Sequence, residues 1–517
     1  MQGEQSMINS NEEVSGIPGA ADESRNIVNI KILFVNPMSG IEGFLPIGLS
    51  SLIAIARKEQ CTVDIFDTTY YKITNYEDRQ KNEKVGEFLP ADMTKYGVVR
   101  EERDHIGDLN AKIKEFDPDI IAVTVPTSYN YPLAMALVDG ISRKNCPLII
   151  GGKCVTMNPE KFIKNANVDI VCVGEGEAPF RDLCLRIREG KPYDAVRNLW
   201  VKTSSGVVKN DIRLIEDLDA LPFPDWTLFD KRHFYKPFCG KVYRYGHLEL
   251  SRGCPHRCSY CNNDRLQELY KGKGRYFRKK SIPRAIEEIS FLKDKYDLEM
   301  MKFWDEEFFL YSDKEMEEFA QGYKKIALPF LIAARLDMVT EHKAKLLKEM
   351  GCVNVSAGIE SGSEDIRRRV LNRKMTNSQI IRGISILNKY GIRTSTLNMV
   401  GMPFETRGNV FETIELNRKA RAQNSSVMIL QPWEGTAIRK MAVEAGFLPD
   451  ECENYRYTES YLNMPQLPPA EIVGLAKTFS LYRKVPKIAY PLVRLCEKDG
   501  PWRDKLFNVL HRIFKSR

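Results

Sequence analysis

The sequence predicts an α/β protein: an N-terminal doubly wound, Rossmann-like parallel sheet, then a (β/α)6 partial TIM barrel, then a small, mostly helical C-terminal region. Three observations carry this. Short, wholly apolar strands alternate with helical patterns in two separate stretches, roughly 27–200 and 246–450, and strands of that kind belong to parallel sheets covered on both faces. In both stretches the strands run out into loops rich in glycine, hydroxyl or charged residues, where open α/β sheets and β/α barrels keep their ligands. Beyond 450 the alternation stops, and prolines at 465, 468, 469, 486, 491 and 501 cut the chain into short segments.

Residues 1–26 are polar, acidic and rich in small residues without periodicity, so a disordered tail is expected. They hold no apolar signal-peptide core, and runs such as Ile120 to Val125 are far too short to span a bilayer. The Rossmann-like domain is expected over 27–200, with strands at Ile30–Val35, Thr62–Phe66, Ile120–Val125, Leu148–Ile150 and Asp169–Val173. Leu49, Leu52, Ile53 and Ala56 mark a helix between the first two. The loops after these strands are Asn36 to Gly40, Thr124 to Ser128, Gly151-Gly152 and Gly174-Glu175-Gly176-Glu177, and glycine there allows a large ligand close to the backbone. Ordinary turn chemistry accounts for such glycines equally well.

Residues 201–245, rich in proline and aromatics, are expected to be a linker. The barrel is expected over 246–450, with strands at His247–Ser251, Met300–Trp304, Pro329–Ala333, Val353–Ala357, Thr394–Val400 and Val427–Leu430. Ser281 starts a helix whose Ile282, Ile286, Ile289 and Leu292 share a face. Ser312 with Glu315, and Thr376 with Gln379, have the spacing of capping boxes. In the C-terminal region, 451–517, a final helix places Trp502, Leu506, Val509, Leu510, Ile513 and Phe514 on one face among basic residues. That suits a membrane-surface or partner helix, or one packed on its own domain.

The net charge of +8 is modest, and residues 484–517 hold nine Lys/Arg against three Asp/Glu. A second basic run spans Lys271 to Lys280. Neither run has an aromatic platform or basic repeat, so nucleic acid is not expected as a partner. Twelve scattered cysteines do not make a disulfide scaffold; a reducing, cytoplasmic setting is expected, with membrane association left open by the last helix.

Only Cys254, Cys258 and Cys261 cluster, as C-x3-C-x2-C just after a strand. Three close thiols can hold three corners of a metal centre and leave the fourth open to substrate. The alternatives are a zinc site with a distant fourth ligand, or three reduced core cysteines.

This spacing, with Tyr260 before the last cysteine, resembles the radical S-adenosylmethionine (SAM) superfamily. The resemblance implies a 4Fe–4S cluster on the three thiolates, S-adenosylmethionine on its open iron, and a 5′-deoxyadenosyl radical formed by one-electron cleavage. It also implies an external electron donor such as flavodoxin or ferredoxin. The later strand ends fit it. Trp304-Asp305-Glu306-Glu307 looks like the acidic motif that meets the methionyl ammonium, and Asp305, Glu306 and Glu307 are not ranked. Arg335 follows the third strand. Glu360, after the fourth, would meet ribose hydroxyls, and Arg373 the cofactor carboxylate. Gly401-Met-Pro-Phe404-Glu405-Thr406 is similar to the family's Gly-x-Pro-Gly-Glu-Thr turn, with Phe404 in place of the second glycine.

A doubly wound domain ahead of such a barrel resembles the cobalamin-binding subfamily, the class B radical methylases among them. That implies a corrin between the domains, held by the loops of Thr124, Ser128, Gly151, Gly152, Gly174, Glu175 and Gly176. The Asp-x-His-x-x-Gly motif of many cobalamin proteins is absent, so no histidine ligand to cobalt is expected; Asp104-His105-Ile106-Gly107 has the wrong spacing and should open a helix. The implied activity is cobalamin-dependent methyl transfer to an unactivated carbon of a small-molecule or lipid-like substrate. A cyclase or rearrangement enzyme on the same cofactors is the near alternative, and a non-enzymatic zinc-binding scaffold the distant one.

Overall fold

The computed structural model describes residues 29–39, 45–73, 91–142, 146–450 and 458–514, so the expected N-terminal tail lies outside the described residues. The first unit is a seven-stranded sheet in the order β2-β1-β3-β4-β5-β6-β7. Strands β1 (Lys31–Asn36), β2 (Thr62–Asp67), β3 (Ile120–Thr124), β4 (Leu148–Gly151) and β5 (Ile170–Cys172) run parallel. Alternation within β1 explains why the sheet is covered twice. Ile32 and Phe34 pack with Leu49, Ile53 and Phe180 of one helical layer, and Leu33 and Val35 with Leu109, Ile113 and Leu137 of the other. The order reverses between β1 and β3, which opens a crevice at the carboxyl ends of the strands. Asp104 opens helix His105–Phe116 as expected, its carboxylate accepting from the N–H groups of Ile106 and Gly107.

The segment expected as a linker carries structure of its own. The hairpin β6 (Leu199–Thr203) and β7 (Gly206–Lys209) extends the first sheet antiparallel beside β5. Further on, β8 (Tyr235–Phe238) folds back on β9 (Lys241–Leu248) through Cys239 and Gly240, both at positive φ. The first barrel strand therefore starts at Lys241 and ends at Leu248 instead of running from His247 to Ser251. Ser251–Arg252 forms a separate two-residue strand, β10, paired with β11 (Arg278–Lys279).

The second sheet has the order β16-β15-β14-β13-β12-β9-β8. The strands β9, β12 (Met300–Phe303), β13 (Phe330–Ala333), β14 (Cys352–Glu360), β15 (Arg393–Val400) and β16 (Asn424–Ile429) are parallel. It curls but stays open, because β8 and β16 are edges. Met301, Phe303, Phe330 and Ile332 lie under Ile289, Leu292, Phe319 and Tyr323 of the outer helices, in one continuous core. Ser281 caps helix Ile282–Tyr296, and capping boxes form at Ser312 with Glu315 and at Thr376 with Gln379. A third box, Thr406 with Asn409, was not expected.

Helices Pro469–Lys484, Tyr490–Leu495 and Pro501–Ile513 cover the β15–β16 end of the half-barrel and share a core with Val400, Ile414 and Leu430. The last helix is turned from its expected face. Phe507 and Leu510 are buried, Leu506 and Phe514 pack partly, and Trp502, Val509 and Ile513 are exposed. The contacts of Phe507 with Lys477, and of Lys477 with Asp504, set this rotation.

Candidate active site

The crevice of the first sheet holds a cavity of about 370 Å³. Phe34, Leu49, Leu52, Ile149 and Phe180 form apolar walls, and Thr124, Gly151, Gly152, Gly174, Glu175 and Gly176 stand at its edge. Gly152 cannot be replaced cheaply: φ is +122°, and a Cβ would sit 2.6 Å from the Val125 carbonyl oxygen. Ser128 is not part of this cavity. It lines a neighbouring one with Asn262 and Trp433, and its hydroxyl lies 3.6 Å from the Cys154 thiol. The Glu175 carboxylate, at the cavity edge, also bonds across to the thiol side. Both oxygens bond Arg278, at 2.7 and 2.9 Å, and one also accepts from the Ile215 N–H.

Glu249 and Arg252 close the same cavity, and Arg252 stands two residues before Cys254. The strand-end loops of the first sheet thus share a wall with the thiol loop. Arg252 donates to Glu249 and to Glu177, both at 2.6 Å. Burial alone would push the Glu177 carboxyl up, and the Arg252 guanidinium outweighs it and holds it below its ordinary value. Lys153, next to Gly152, reaches the barrel: its Nζ is 3.3 Å from Glu306. Sequence patterns missed Arg252, Arg278 and Lys153. The alternating acids 175 and 177 opposite Ser251-Arg252-Gly253 were the available signal.

The thiol loop is fixed by its backbone. Gly253 turns it at φ +84°, where a Cβ would meet the Tyr276 carbonyl oxygen at 2.5 Å. Ser259 N–H donates to the Leu371 carbonyl at 3.1 Å, and Asn372 donates to the Arg257 carbonyl at 2.6 Å. Among the described residues, no three His, Cys, Asp or Glu side chains are gathered closely enough to hold a metal ion as they stand. The fit to an iron–sulfur cluster rests on the donor set. Cys258 Sγ accepts from Arg373 at 3.6 Å and Cys261 Sγ from Asn263 at 3.5 Å, as outer partners of cluster thiolates do. Burial pushes the Cys254 thiol up to about 12 and raises that of Cys261, so a bound cation is needed to hold them as thiolates.

Three of the expected residues form one network. Tyr260 OH donates to Glu360 at 3.0 Å, Arg373 donates to Tyr260 OH at 3.1 Å and to the Gly358 carbonyl at 2.7 Å. The β14 bulge that turns Glu360 inward holds it at φ +66°, a strained position for a non-glycine residue. Arg373 Nε is buried without a hydrogen-bond partner. An orphaned guanidinium donor beside the thiol loop suits an anionic ligand group.

The three acids of the motif differ in what they bond. Asp305 accepts from the Leu250 N–H at 3.2 Å and the Ser251 hydroxyl at 2.5 Å. Glu307 accepts from the N–H groups of Phe309 and Arg335. Burial raises these carboxyls to about 6 and about 7 against those hydrogen bonds. Asp305 is thus bonded to the Leu250–Ser251 strand end and Glu307 to the local backbone, whereas Glu306 lines a cavity with Lys153. Arg335 is committed to Asp337, at 2.9 and 3.1 Å. Glu405 is buried beneath its own turn, accepting from the Gly401 and Met402 N–H groups, and burial pushes it up to about 8. Asp305, Arg335 and Glu405 thus each bond partners within the strand-end loops.

Comparison with known proteins follows the same division. The radical SAM superfamily model matches residues 248–416, and the B12 binding domain model matches residues 97–184. An uncharacterized methyltransferase of Pyrococcus horikoshii is 30% identical over 370 residues, 68% of this chain and 77% of the relative. Cytidylyl-2-hydroxyethylphosphonate methyltransferase of Streptomyces wedmorensis is 23% identical over 504 residues, 87% of this chain and 89% of the relative. Among solved structures, the radical S-adenosylmethionine methyltransferase TsrM of Kitasatospora setae, with cobalamin and a [4Fe-4S] cluster bound, aligns with a TM-score of 0.63. It covers 94% of this chain and 99% of its own at 16% identity, a likeness of fold.

Proposed function

The chain belongs to the cobalamin-binding radical SAM enzymes, and on that premise we propose that it is a methylase acting on an unactivated carbon. The observation that carries the proposal is the shared wall: one cavity joins Gly151, Gly152 and Gly174–Gly176 of the first sheet to Arg252, two residues before the thiols. When bound, the 4Fe–4S cluster, S-adenosylmethionine and cobalamin supply radical generation and the methyl group. Cys254, Cys258 and Cys261 hold the cluster. Glu306 receives the methionyl ammonium, Arg373 the carboxylate and Glu360 the ribose hydroxyls. The glycine edges of the first sheet let a corrin approach the backbone, and the cavity lining contains no histidine to ligate cobalt. The paired charges of Glu177, Arg252, Glu249, Lys153 and Glu306 keep the two halves in register and limit water between them. An external donor such as flavodoxin or ferredoxin provides electrons.

Anaerobic reconstitution with iron, sulfide and hydroxocobalamin tests this. Reduced protein given S-adenosylmethionine should release 5′-deoxyadenosine and S-adenosylhomocysteine, the second marking methyl transfer. A cyclase or rearrangement enzyme would release the first without the second. Colourless, zinc-loaded protein releasing neither would overturn the proposal.

A membrane surface is proposed as a second partner, for the C-terminal helices. Among the described residues no helix is long and apolar enough to cross a membrane. Yet Ile488, Leu492, Leu495, Trp502, Val509 and Ile513 are exposed, within a segment whose basic residues outnumber its acids nine to three. Binding to phosphatidylglycerol vesicles but not to phosphatidylcholine vesicles is expected, and Trp502→Ser with Ile513→Ser should weaken it about fivefold or more. Those two side chains lie outside the core, unlike Phe507 and Leu510. Equal recovery of parent and variant with vesicles would count against a membrane role.

A further inference from the structure

Two thiols outside the cluster loop meet where two helices of the first unit come together. Helix Ile47–Lys58 lines the crevice cavity with Ile47, Gly48, Leu49 and Leu52, and helix Glu177–Arg188 lines it with Glu177 and Phe180. Both helices use their N-terminal turns for this, so their far ends lie away from the cavity. Cys61 follows the end of the first helix, where Gln60 at φ +58° turns the chain into β2. In the second helix Cys184 stands one turn beyond Phe180, and Arg188 one turn beyond Cys184. Cys61, Phe180 and Cys184 are buried in the same core.

The Cys184 thiol donates to the Cys61 sulfur, which also accepts from an Arg188 N–H at 3.7 Å. The same Arg188 nitrogen donates to the Glu59 carbonyl, and Arg188 Nε is buried without a hydrogen-bond partner. The Glu59 carboxylate, the acid that opposes a thiolate here, is paired with Arg181 at 2.9 Å. The bond from Cys184, together with the Arg188 guanidinium, outweighs burial and holds Cys61 below its ordinary value. Cys184 is held well above its own by the bond it donates and by burial. Packing alone has the opposite effect on Cys61's counterparts elsewhere: burial pushes the Cys172 and Cys352 thiols up to about 12. A thiolate-prone sulfur beside a protonated thiol is the arrangement of a redox-active dithiol, whereas cysteines that only fill a core stay inert. Cys61 is also the one nearer solvent, between exposed Gln60 and exposed Thr62.

We propose that Cys61 and Cys184 are a reversible oxidation site, at which a small-molecule disulfide drives formation of a bond that ties these two helices together. The Cys61 thiolate attacks one sulfur of that disulfide, forms a mixed disulfide and releases one thiolate. Cys184 then gives up its proton and displaces the second. Two protein thiols are oxidised, and the attacking disulfide is reduced to two thiols. A dithiol reductant reverses both steps. The pair stays open under reducing conditions and closes when oxidised small thiols accumulate. The bond closes a loop from residue 61 to residue 184, so it restrains the unfolded chain and fastens one wall of the crevice at its far end. This chemistry does not depend on the methylase reading.

Peptide mass mapping of cofactor-loaded protein, freed of reductant and treated anaerobically with glutathione disulfide, tests the site. The Cys61 and Cys184 peptides should appear joined and should separate again with dithiothreitol. Joining should raise the melting temperature by about 5 °C or more. Cys184→Ser should stop at a glutathione adduct on Cys61, and Arg188→Met should slow joining about tenfold. Melting of the reduced variants certifies their fold. Parent protein whose Cys61 and Cys184 remain thiols, or react no faster than Cys172 and Cys352, would overturn the proposal. A parent adduct on Cys61 that Cys184 never displaces would overturn the disulfide, and joined protein that melts like the reduced form would overturn the tie between the helices. Undiminished joining in the Arg188 variant would overturn the part assigned to the guanidinium.

Discussion

Cys258→Ala is expected to abolish 5′-deoxyadenosine formation while leaving corrin bound. Three thiolates leave one iron open, and removing one ligand from such a set removes the cluster rather than weakening it. Outer-shell changes at metal sites cost about 10- to 100-fold, so losing a first ligand should cost roughly 10³-fold or more. Cys258 is a demanding test because it is buried and its sulfur already accepts from Arg373. Its side chain lines none of the strand-end cavity of the first sheet, so bound corrin should persist. Iron, sulfide and corrin content, measured with the cleavage product, separate these effects. Cys239→Ala, at the exposed β8–β9 turn, should change none of them. Full cleavage by the Cys258 variant would remove the cluster assignment.

What the sequence revealed and what it hid divide along physical lines. Strands covered on both faces are apolar throughout, so β1 to β5, β12, β13 and β15 were legible within a residue or two, β14 and β16 within three, while β9 begins six residues before its expected start. Caps have a fixed offset, so Ser281, Ser312 and Thr376 were legible as helix starts. The β6–β7 and β8–β9 hairpins were not, because they are partly exposed edge strands in a proline-rich stretch. Motif spacing singled out Cys254, Cys258 and Cys261, and the fourth strand end singled out Glu360. It could not tell that Asp305 bonds the Leu250 N–H and the Ser251 hydroxyl and Glu307 two backbone N–H groups, while Glu306 faces Lys153. That distinction depends on where the carboxylates lie in space. The same holds for Glu175, whose partner Arg278 lies 103 residues away in sequence. Phe404 shows the reverse case. A missing family glycine left its mark as φ +65° on a bulky side chain, and the ring is held by an edge contact with Phe447, 5.2 Å between centroids.

Arg373→Lys should raise the KM for S-adenosylmethionine about 10- to 100-fold and shift the cluster to a lower potential. The guanidinium makes contacts an ammonium cannot make together: the Tyr260 hydroxyl, the Gly358 carbonyl and the Cys258 sulfur, with Nε buried and still unpartnered. A fixed fork suits a carboxylate in two-point contact, and lysine keeps the charge while losing the fork. Hydrogen bonds to charged groups contribute about 1.5–3 kcal/mol each, which corresponds to the expected change in KM. The potential follows from the sulfur contact. An N–H aimed at a thiolate stabilises the more negatively charged, reduced cluster, so its removal makes reduction harder. A merely structural Arg373 would give a different result, namely a lower melting temperature of the cluster-loaded protein with KM and potential unchanged. Tyr260→Phe supplies an internal comparison. It removes the hydroxyl that links Glu360 to Arg373 but leaves the guanidinium contact with Cys258, so KM should rise while the potential holds. If both variants moved the potential equally, Arg373 would act on the cluster through the network as a whole, not through its bond to sulfur.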